Sequence, residues 1–423
     1  MYKKNLVSGI LLQLWKILYK FVFSVLVARA VGNVTYGQIT YFFLVFNLLG
    51  SYGHLGIING ISYFAKTDKC DLNTQINANI TYLAMNSLFI GIILCSPPIK
   101  GLVLPEVPQP YMIGGLCFMM VTYLYAALEA YFVSQEKIFK SNGSMAVGML
   151  AAMAGMLVCL ALGKINLATY LIFQIIELLV AVLFMCRSFS CSYRPQINIA
   201  FLIREFKYGH LVFWASLFGY LNYRIDQFMI QRQLGDGMLG IYSVAVTIAE
   251  LVLLVPNSIT AAITGKLLNS SGREDQKRVL CITIKGCVWV CLLLVVMGIV
   301  LAPIIQIVYG AEYYPSIQSF RFLLLGICGA AVGKVVYPFY LANGRAKVHM
   351  LVAAFVMLVN IGLNMWLIPD CGINGAAFAS TCSYLVYGGV YIGLLVKKEG
   401  IKLTSMFLFS REEMAMIKRS VFS

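Results

Sequence analysis

Charge is what this sequence has least of. Only 12% of its 423 residues are Asp, Glu, Lys or Arg, where a soluble domain carries about a quarter. With 60% hydrophobic residues and a mean hydropathy of +0.83, this excludes an ordinary soluble protein, a disordered chain and a collagen-like one. The twelve cysteines lie mostly in apolar runs, with no C-x-x-C pair and no Cys/His metal spacing. They read as small core residues, not as a disulfide scaffold or a metal site. A G-x4-G-K-[ST] phosphate loop is also missing, so no nucleotide site is visible. A single soluble core would not absorb this much apolar sequence, and the surplus must face lipid.

A helix that crosses the hydrocarbon needs about 20 apolar residues. The apolar runs predict spans at about 9–29, 38–63, 77–97, 111–134, 144–163, 167–186, 208–231, 237–264, 280–302, 317–342, 348–368 and 375–396. Membrane-barrel strands would be about half as long and would alternate strictly. The start could pass for a signal peptide, with Ala28-Arg29-Ala30 as a cleavage-like site. Lys16 and Lys20 interrupt its apolar stretch, so it is read as a retained first helix.

The predicted architecture is an all-α integral membrane protein with twelve transmembrane helices in two six-helix lobes. Residues 1–190 carry spans one to six, 191–206 form a cytoplasmic linker, 207–396 carry spans seven to twelve, and 397–423 form a tail. The net charge of +15 would suggest nucleic acid in a soluble protein. Here 22 of the 32 Lys and Arg residues fall on the side of the two termini and 4 on the other. That asymmetry puts both termini in the cytoplasm and accounts for most of the basic balance without nucleic acid. The tail bases, Lys418 and Arg419 among them, read as anchors to the membrane surface.

The two halves resemble each other. Arg29-x-x-Gly32-x4-Gly37 follows span one, and Arg232-x-x-Gly235-x4-Gly240 follows span seven, at an offset of 203. The same offset pairs Thr40, Asn47 and His54 with Ser243, Glu250 and Asn257. Those positions are seven apart, so each second helix carries a polar stripe on one face.

Ionisable groups in hydrocarbon are costly, and they normally face a cavity or pair with one another. Span one carries Lys16 and Lys20, one turn apart. Span seven carries Arg224, with Tyr220 and Gln227 on the same face. Span ten carries Lys334, with Tyr337 at i+3. These four cations, with Tyr220, Gln227, Tyr337, Asn47, His54, Tyr384 and Tyr387, are the candidate substrate-binding residues. Lysine and arginine suit a phosphate, while tyrosines and amides suit sugars. The acids Glu129, Glu177, Asp226 and Glu250 are candidates for ion coupling. The competing reading is structural: Asp226 neutralises Arg224 or a neighbouring lysine, Glu129 and Glu177 pack in protonated form, and Lys16 snorkels. His210 and His349 read as interfacial.

Several segments resemble bacterial polysaccharide-transport proteins. They are Arg29-x-x-Gly32-x4-Gly37; Asp226-Gln-Phe-Met-Ile with Gly235-x4-Gly240-Ile-Tyr242; and Asn360-x3-Asn364, Leu367-Ile-Pro369 and Gly372-Ile-Asn-Gly375-Ala-Ala-Phe-Ala-Ser. The likeness covers essentially the whole chain and is to the Wzx-type lipid-linked oligosaccharide flippases, in the superfamily that also contains MATE exporters. It implies two pseudo-symmetric, MATE-like lobes working by alternating access in the bacterial inner membrane. The implied substrate is an O-antigen or capsule repeat unit on undecaprenyl pyrophosphate, with the lipid bilayer, a polysaccharide polymerase and chain-length proteins as partners. Only Asp226 matches by local motif. The cavity lysines are placed by helix position.

The resulting expectation is a flippase without bound cofactor, driven by a proton or sodium gradient or by substrate removal. Two other readings are open: a MATE-like exporter of small compounds, and a membrane polymerase or acyltransferase. Cationic drugs favour an acidic cavity, and the predicted outer loops are too short to carry much chemistry.

Overall fold

Lipid offers no hydrogen bonds, so each apolar run must satisfy its own backbone, and the helix is the local way to do so. The computed structural model describes residues 2–67, 72–188, 193–268 and 272–408, and among them there is no strand. Lys418, Arg419, Cys70 and Cys191 lie outside the described residues, as do 189–192 at the edge of the expected linker.

The helices are α1 (Tyr2–Tyr52), α2 (Ile57–Thr67), α3 (Leu72–Cys95), α4 (Pro97–Val103), α5 (Gln109–Ser134), α6 (Ile138–Ala161) and α7 (Leu167–Arg187). After a non-helical stretch come α8 (Ile199–Leu268), α9 (Arg273–Leu301), α10 (Ile304–Tyr309), α11 (Ser316–Ala342), α12 (Ala346–Glu399) and α13 (Leu403–Phe407). Helix α8 therefore begins inside the stretch read as a linker.

Nine helices of the described residues are long and apolar enough to cross a membrane. Three of them are far too long for one crossing. At 1.5 Å per residue α1, α8 and α12 would run about 77, 105 and 81 Å, against a hydrocarbon layer of about 30 Å. Each is broken at one glycine with non-helical backbone: Gly32 (φ 75°, ψ 170°), Gly235 (φ 81°, ψ 179°) and Gly372 (φ 58°, ψ −141°). Divided at these points, the nine helices give twelve segments, a number compatible with the twelve expected, though the expected second span 38–63 runs over the end of α1, a turn and α2. Loops were expected near 30–37 and 232–236, but single residues make the breaks. Positive φ is open to glycine without a Cβ clash. Gly32 and Gly235, 203 positions apart, share nearly the same backbone angles, so the repeat is structural as well as sequential.

The chain divides into two compact units: Met1–Leu217 with Leu234–Gly240, and Phe218–Gln233 with Ile241–Ser423. In the first unit the start of α8 lies along α2 and the end of α1. The Tyr52 hydroxyl donates to the Ser216 carbonyl at 3.0 Å, and the Tyr63 and Tyr208 rings stack at 4.3 Å. Two turns of this unit meet backbone to backbone. A Cβ on Gly37 would overlap the Asp236 carbonyl, and one on Gly240 would overlap the Asn33 carbonyl. Asn33 and Asp236 are themselves repeat partners, so the contact is symmetric.

In the second unit α11 is the central helix, with 67% of its most apolar window buried against 33% in α9. Buried Glu399 closes one end, accepting from Arg273 at 2.7 Å and Arg345 at 2.8 Å. Elsewhere Leu88, Ile92, Val300 and Ile307 are 70% or more exposed, an apolar surface that suits lipid and not water. Cys287 and Cys291 are buried, while Cys117, Cys186 and Cys371 lie exposed on the outside of their helices and not in the core.

Candidate functional site

Each unit brings charged groups together inside its own helices. In the first unit Lys16 is half-buried and Lys20 exposed on α1. Lys16 lies within electrostatic reach of Lys20, Glu129 and Glu177. Glu177, buried on α7, accepts a hydrogen bond from the Tyr19 hydroxyl at 2.6 Å and one from the Gln174 amide at 3.4 Å. Glu129, half-buried on α5, accepts from Tyr125 one turn earlier at 3.4 Å. Among the described residues no carboxylate forms an ion pair with Lys16 or Lys20, so the acids are held by neutral donors. Tyr170, on α7 within electrostatic reach of Glu177, packs its ring on Phe23 and Phe43.

Two residues expected at a site stand apart from this cluster. Asn47 is exposed on α1. His54 is buried in the turn between α1 and α2, where its Nδ1 accepts the Gly56 N–H at 3.1 Å and its ring packs on Tyr123.

The second unit holds the richer arrangement. Arg224 on α8 forms an ion pair with Glu250, across the Gly235 break, at 2.7 Å; the side chains are 24% and 35% exposed. The Arg224 guanidinium also donates to Gln227 at 3.4 Å, and Tyr220 lies within electrostatic reach of both charges. Asp226 is not the partner of Arg224. Residues two apart on a helix point to different faces, and Asp226 turns inward. There it accepts from the Tyr242 hydroxyl at 2.6 Å, the Ser380 hydroxyl at 2.9 Å and the Gln227 N–H at 2.7 Å. The Gln227 amide reaches Ser243 at 3.3 Å.

Lys334 on α11 places its ammonium 4.8 Å from the centre of the Tyr223 ring, a cation–π contact. The Tyr223 ring in turn packs on Tyr384 at 5.1 Å, and its buried hydroxyl has no hydrogen-bond partner among the described residues. Tyr337, expected beside Lys334, stacks on His349 at 4.6 Å instead. Tyr387 packs on Tyr391, whose hydroxyl lies 2.7 Å from His349 Nδ1. His349, near the start of α12, thus joins an aromatic stack.

A small cleft lies among these residues, lined by Tyr223, Asp226, Glu250 and Tyr384 on a wall of Val246, Leu253, Leu323 and Ile327. It joins an apolar wall to a few convergent polar groups. Beside it runs a buried amide ladder. Asn360 donates to the Asn222 carbonyl at 2.8 Å and to Ser383 at 3.0 Å, and Asn364 donates to the Asn360 carbonyl at 2.9 Å.

Sequence reasoning missed Tyr19, Tyr242, Tyr223 and Ser380 as members of these sites. For the two carboxylate-binding tyrosines no local signal exists, because their partners lie 158 and 16 residues away.

The profile of the family described as "Polysaccharide biosynthesis protein" matches residues 2–264. That is more than half of the chain, and the chain belongs to this family. No curated protein matches it. Among solved structures it is similar to the lipid II flippase MurJ in an inward closed conformation. The identity is 16%, the match covers 98% of this chain and 92% of that one, and the TM-score is 0.77. It is also similar to an inward-facing multidrug resistance MATE family transporter of the MOP superfamily, at 13% identity, 95% of each chain and a TM-score of 0.72. A MOP superfamily transporter from Pyrococcus furiosus, described as having a binding pocket of reverse polarity, matches at 14% identity. It covers 93% of this chain and 95% of that one, with a TM-score of 0.65. These likenesses show the fold. The chain is a multi-pass membrane protein with the MATE/MOP architecture, in line with the Wzx-type resemblance carried by its motifs.

Proposed function

We propose that this protein flips undecaprenyl-pyrophosphate-linked oligosaccharide repeat units from the cytoplasmic to the periplasmic leaflet of a bacterial inner membrane, for O-antigen or capsule synthesis. The observation that carries the reading is the second unit's cation cluster beside the cleft: Arg224 pairs with Glu250 and Lys334 sits on the Tyr223 ring, and both of those partners line the cleft. Guanidinium and ammonium groups in a low-dielectric site bind phosphate oxygens. Tyr223 and Tyr384 offer ring faces and a hydroxyl to a sugar. Lys16 and Lys20 give the first unit a second cationic set. Membership in the polysaccharide biosynthesis family and the flippase-like fold support this reading, and the Lys/Arg asymmetry supports cytoplasmic termini. No bond is made or broken; the protein works by alternating access. Asp226, held only by neutral donors, is our candidate carrier of a coupling proton or sodium ion.

The test is complementation of a strain that lacks its repeat-unit flippase. Charge reversal at Arg224 and Lys334, with the protein still inserted, is expected to cut surface polysaccharide at least tenfold. Normal polysaccharide from both variants would reject the reading. One observation favours a second reading, export of small cations: Asp226 and Glu250 line the same cleft. Gradient-dependent efflux of a cationic dye by the purified protein in vesicles would favour that alternative.

A further inference from the structure

We propose that Glu250 is an exchangeable counterion. It occupies the anion seat on Arg224 and yields that seat to a diphosphate, so that lipids with a single weak negative charge are rejected. The inference rests on the flippase reading above.

Three features carry it. First, the Arg224–Glu250 pair is accessible. Both side chains are partly exposed, and Glu250 lines the cleft together with Tyr223 and Tyr384. Carboxylate and phosphate present the same pair of acceptor oxygens to a guanidinium, so one can replace the other without moving the arginine. Second, a cation stands ready beside the pair. Lys334 lies within electrostatic reach of both Arg224 and Glu250, and its described contact is the Tyr223 ring, not a carboxylate. Arg224, Lys334 and Glu250 alone therefore sum to one positive charge, and Asp226 on the same cleft cancels it when ionised. An incoming anion meets Lys334 first, and only one with further charge can also displace Glu250. Third, Asp226 on the same cleft is fully engaged by three neutral donors. Glu250 makes no such bonds, and its ion pair is its described polar contact.

An exchangeable acid also meets a requirement of transport. Two bare cations in a low-dielectric cleft would hold a diphosphate too tightly to let it go. A ligand shifts an equilibrium only by its differential affinity for the two states. Glu250 reduces that affinity on entry and returns to Arg224 on release. At the matching position of the first repeat stands Asn47, which bears no charge, so the device belongs to the second unit alone.

The experiment uses the full chain in zwitterionic nanodiscs, with undecaprenyl diphosphate and undecaprenyl monophosphate as probes. Wild type is expected to prefer the diphosphate. Glu250→Gln should bind the diphosphate about tenfold more tightly, the worth of one freed charge-assisted contact. It should gain still more for the monophosphate, so that the preference collapses, and in proteoliposomes it should flip more slowly. Glu250→Asp keeps the charge but shortens its reach, and should tighten diphosphate binding about threefold; it decides the matter if the Gln variant fails to fold. Unchanged or weaker diphosphate binding in the folded variants overturns the proposal. Arg224→Gln and Lys334→Gln separate the two levels. If wild type does not bind the diphosphate, or binds it no better than these variants do, the flippase reading itself fails. If they weaken binding while the Glu250 variants leave affinity and selectivity unmoved, only the counterion role is lost.

Discussion

Both units bury a carboxylate, and both hold it with a tyrosine hydroxyl at 2.6 Å: Glu177 with Tyr19 in the first, Asp226 with Tyr242 in the second. Their cations are treated differently. Arg224 is matched by Glu250 at 2.7 Å and Lys334 sits on a tyrosine face, whereas Lys16 and Lys20 have no carboxylate at pairing distance among the described residues. A cation with its own acid can switch between partners. One without must be satisfied by water, headgroups or substrate. The repeat has thus kept the backbone turns, with Gly32 and Gly235 nearly superimposable in angle, while the charge pattern has diverged. Turn geometry constrains the fold in both copies, and cleft chemistry is free to specialise in one.

The largest effect is expected where the copies are most alike. Leucine at Gly37 or Gly240 would drive a side chain into the carbonyl of Asp236 or Asn33. Backbone cannot yield as a flexible side chain does, and overpacking of this kind costs about 3 kcal/mol or more. Both variants should lose folded yield in detergent and polysaccharide export in cells. A pair of well-folded, active variants would show that the symmetric turn contact is dispensable.

The next comparison sets the two buried acids against each other. Asp226 lines the cleft and Glu177 does not. Asp226→Asn should therefore lower gradient-driven flipping in proteoliposomes at least tenfold, and Glu177→Gln less than threefold. Equal losses would erase the asymmetry between the units.

The smallest effects concern what ties each unit together. Glu399 is 1% exposed between Arg273 and Arg345, which are 48% and 40% exposed. Because both arginines are open to solvent screening, Glu399→Ala should cost only about 1–2 kcal/mol. The loss should shrink as salt is added. In the first unit the comparable contact is the Tyr63–Tyr208 stack. Removing it with Tyr208→Ala should cost about 1 kcal/mol with little salt dependence. Thermal unfolding at low and high ionic strength distinguishes the two.

Much of the fold was legible in the sequence. The apolar runs became long helices, nine of them apolar enough to cross a membrane among the described residues, because each run satisfies its backbone locally. The Arg-x-x-Gly repeat pointed to the two matched turns, because positive φ leaves little choice but glycine. The site was legible only as a set of residue types. Tyr384 lines the cleft and Lys334 sits on the Tyr223 ring that lines it too, but Tyr337, the neighbour inferred for Lys334 by helical spacing, stacks on His349. His54 serves a turn.

The amino-acid order by itself determined that the chain lives in lipid, that it is built of long apolar helices, and where the longest of them break. Those features depend on local hydrophobicity and on the steric limits of single residues. Partner choice was decided only by the tertiary structure. Arg224 lies two residues from Asp226 and 26 from Glu250, yet it pairs with the distant acid. Neighbours on a helix diverge around its axis, and only the packing of one segment against another brings separated charges within a bond length of each other.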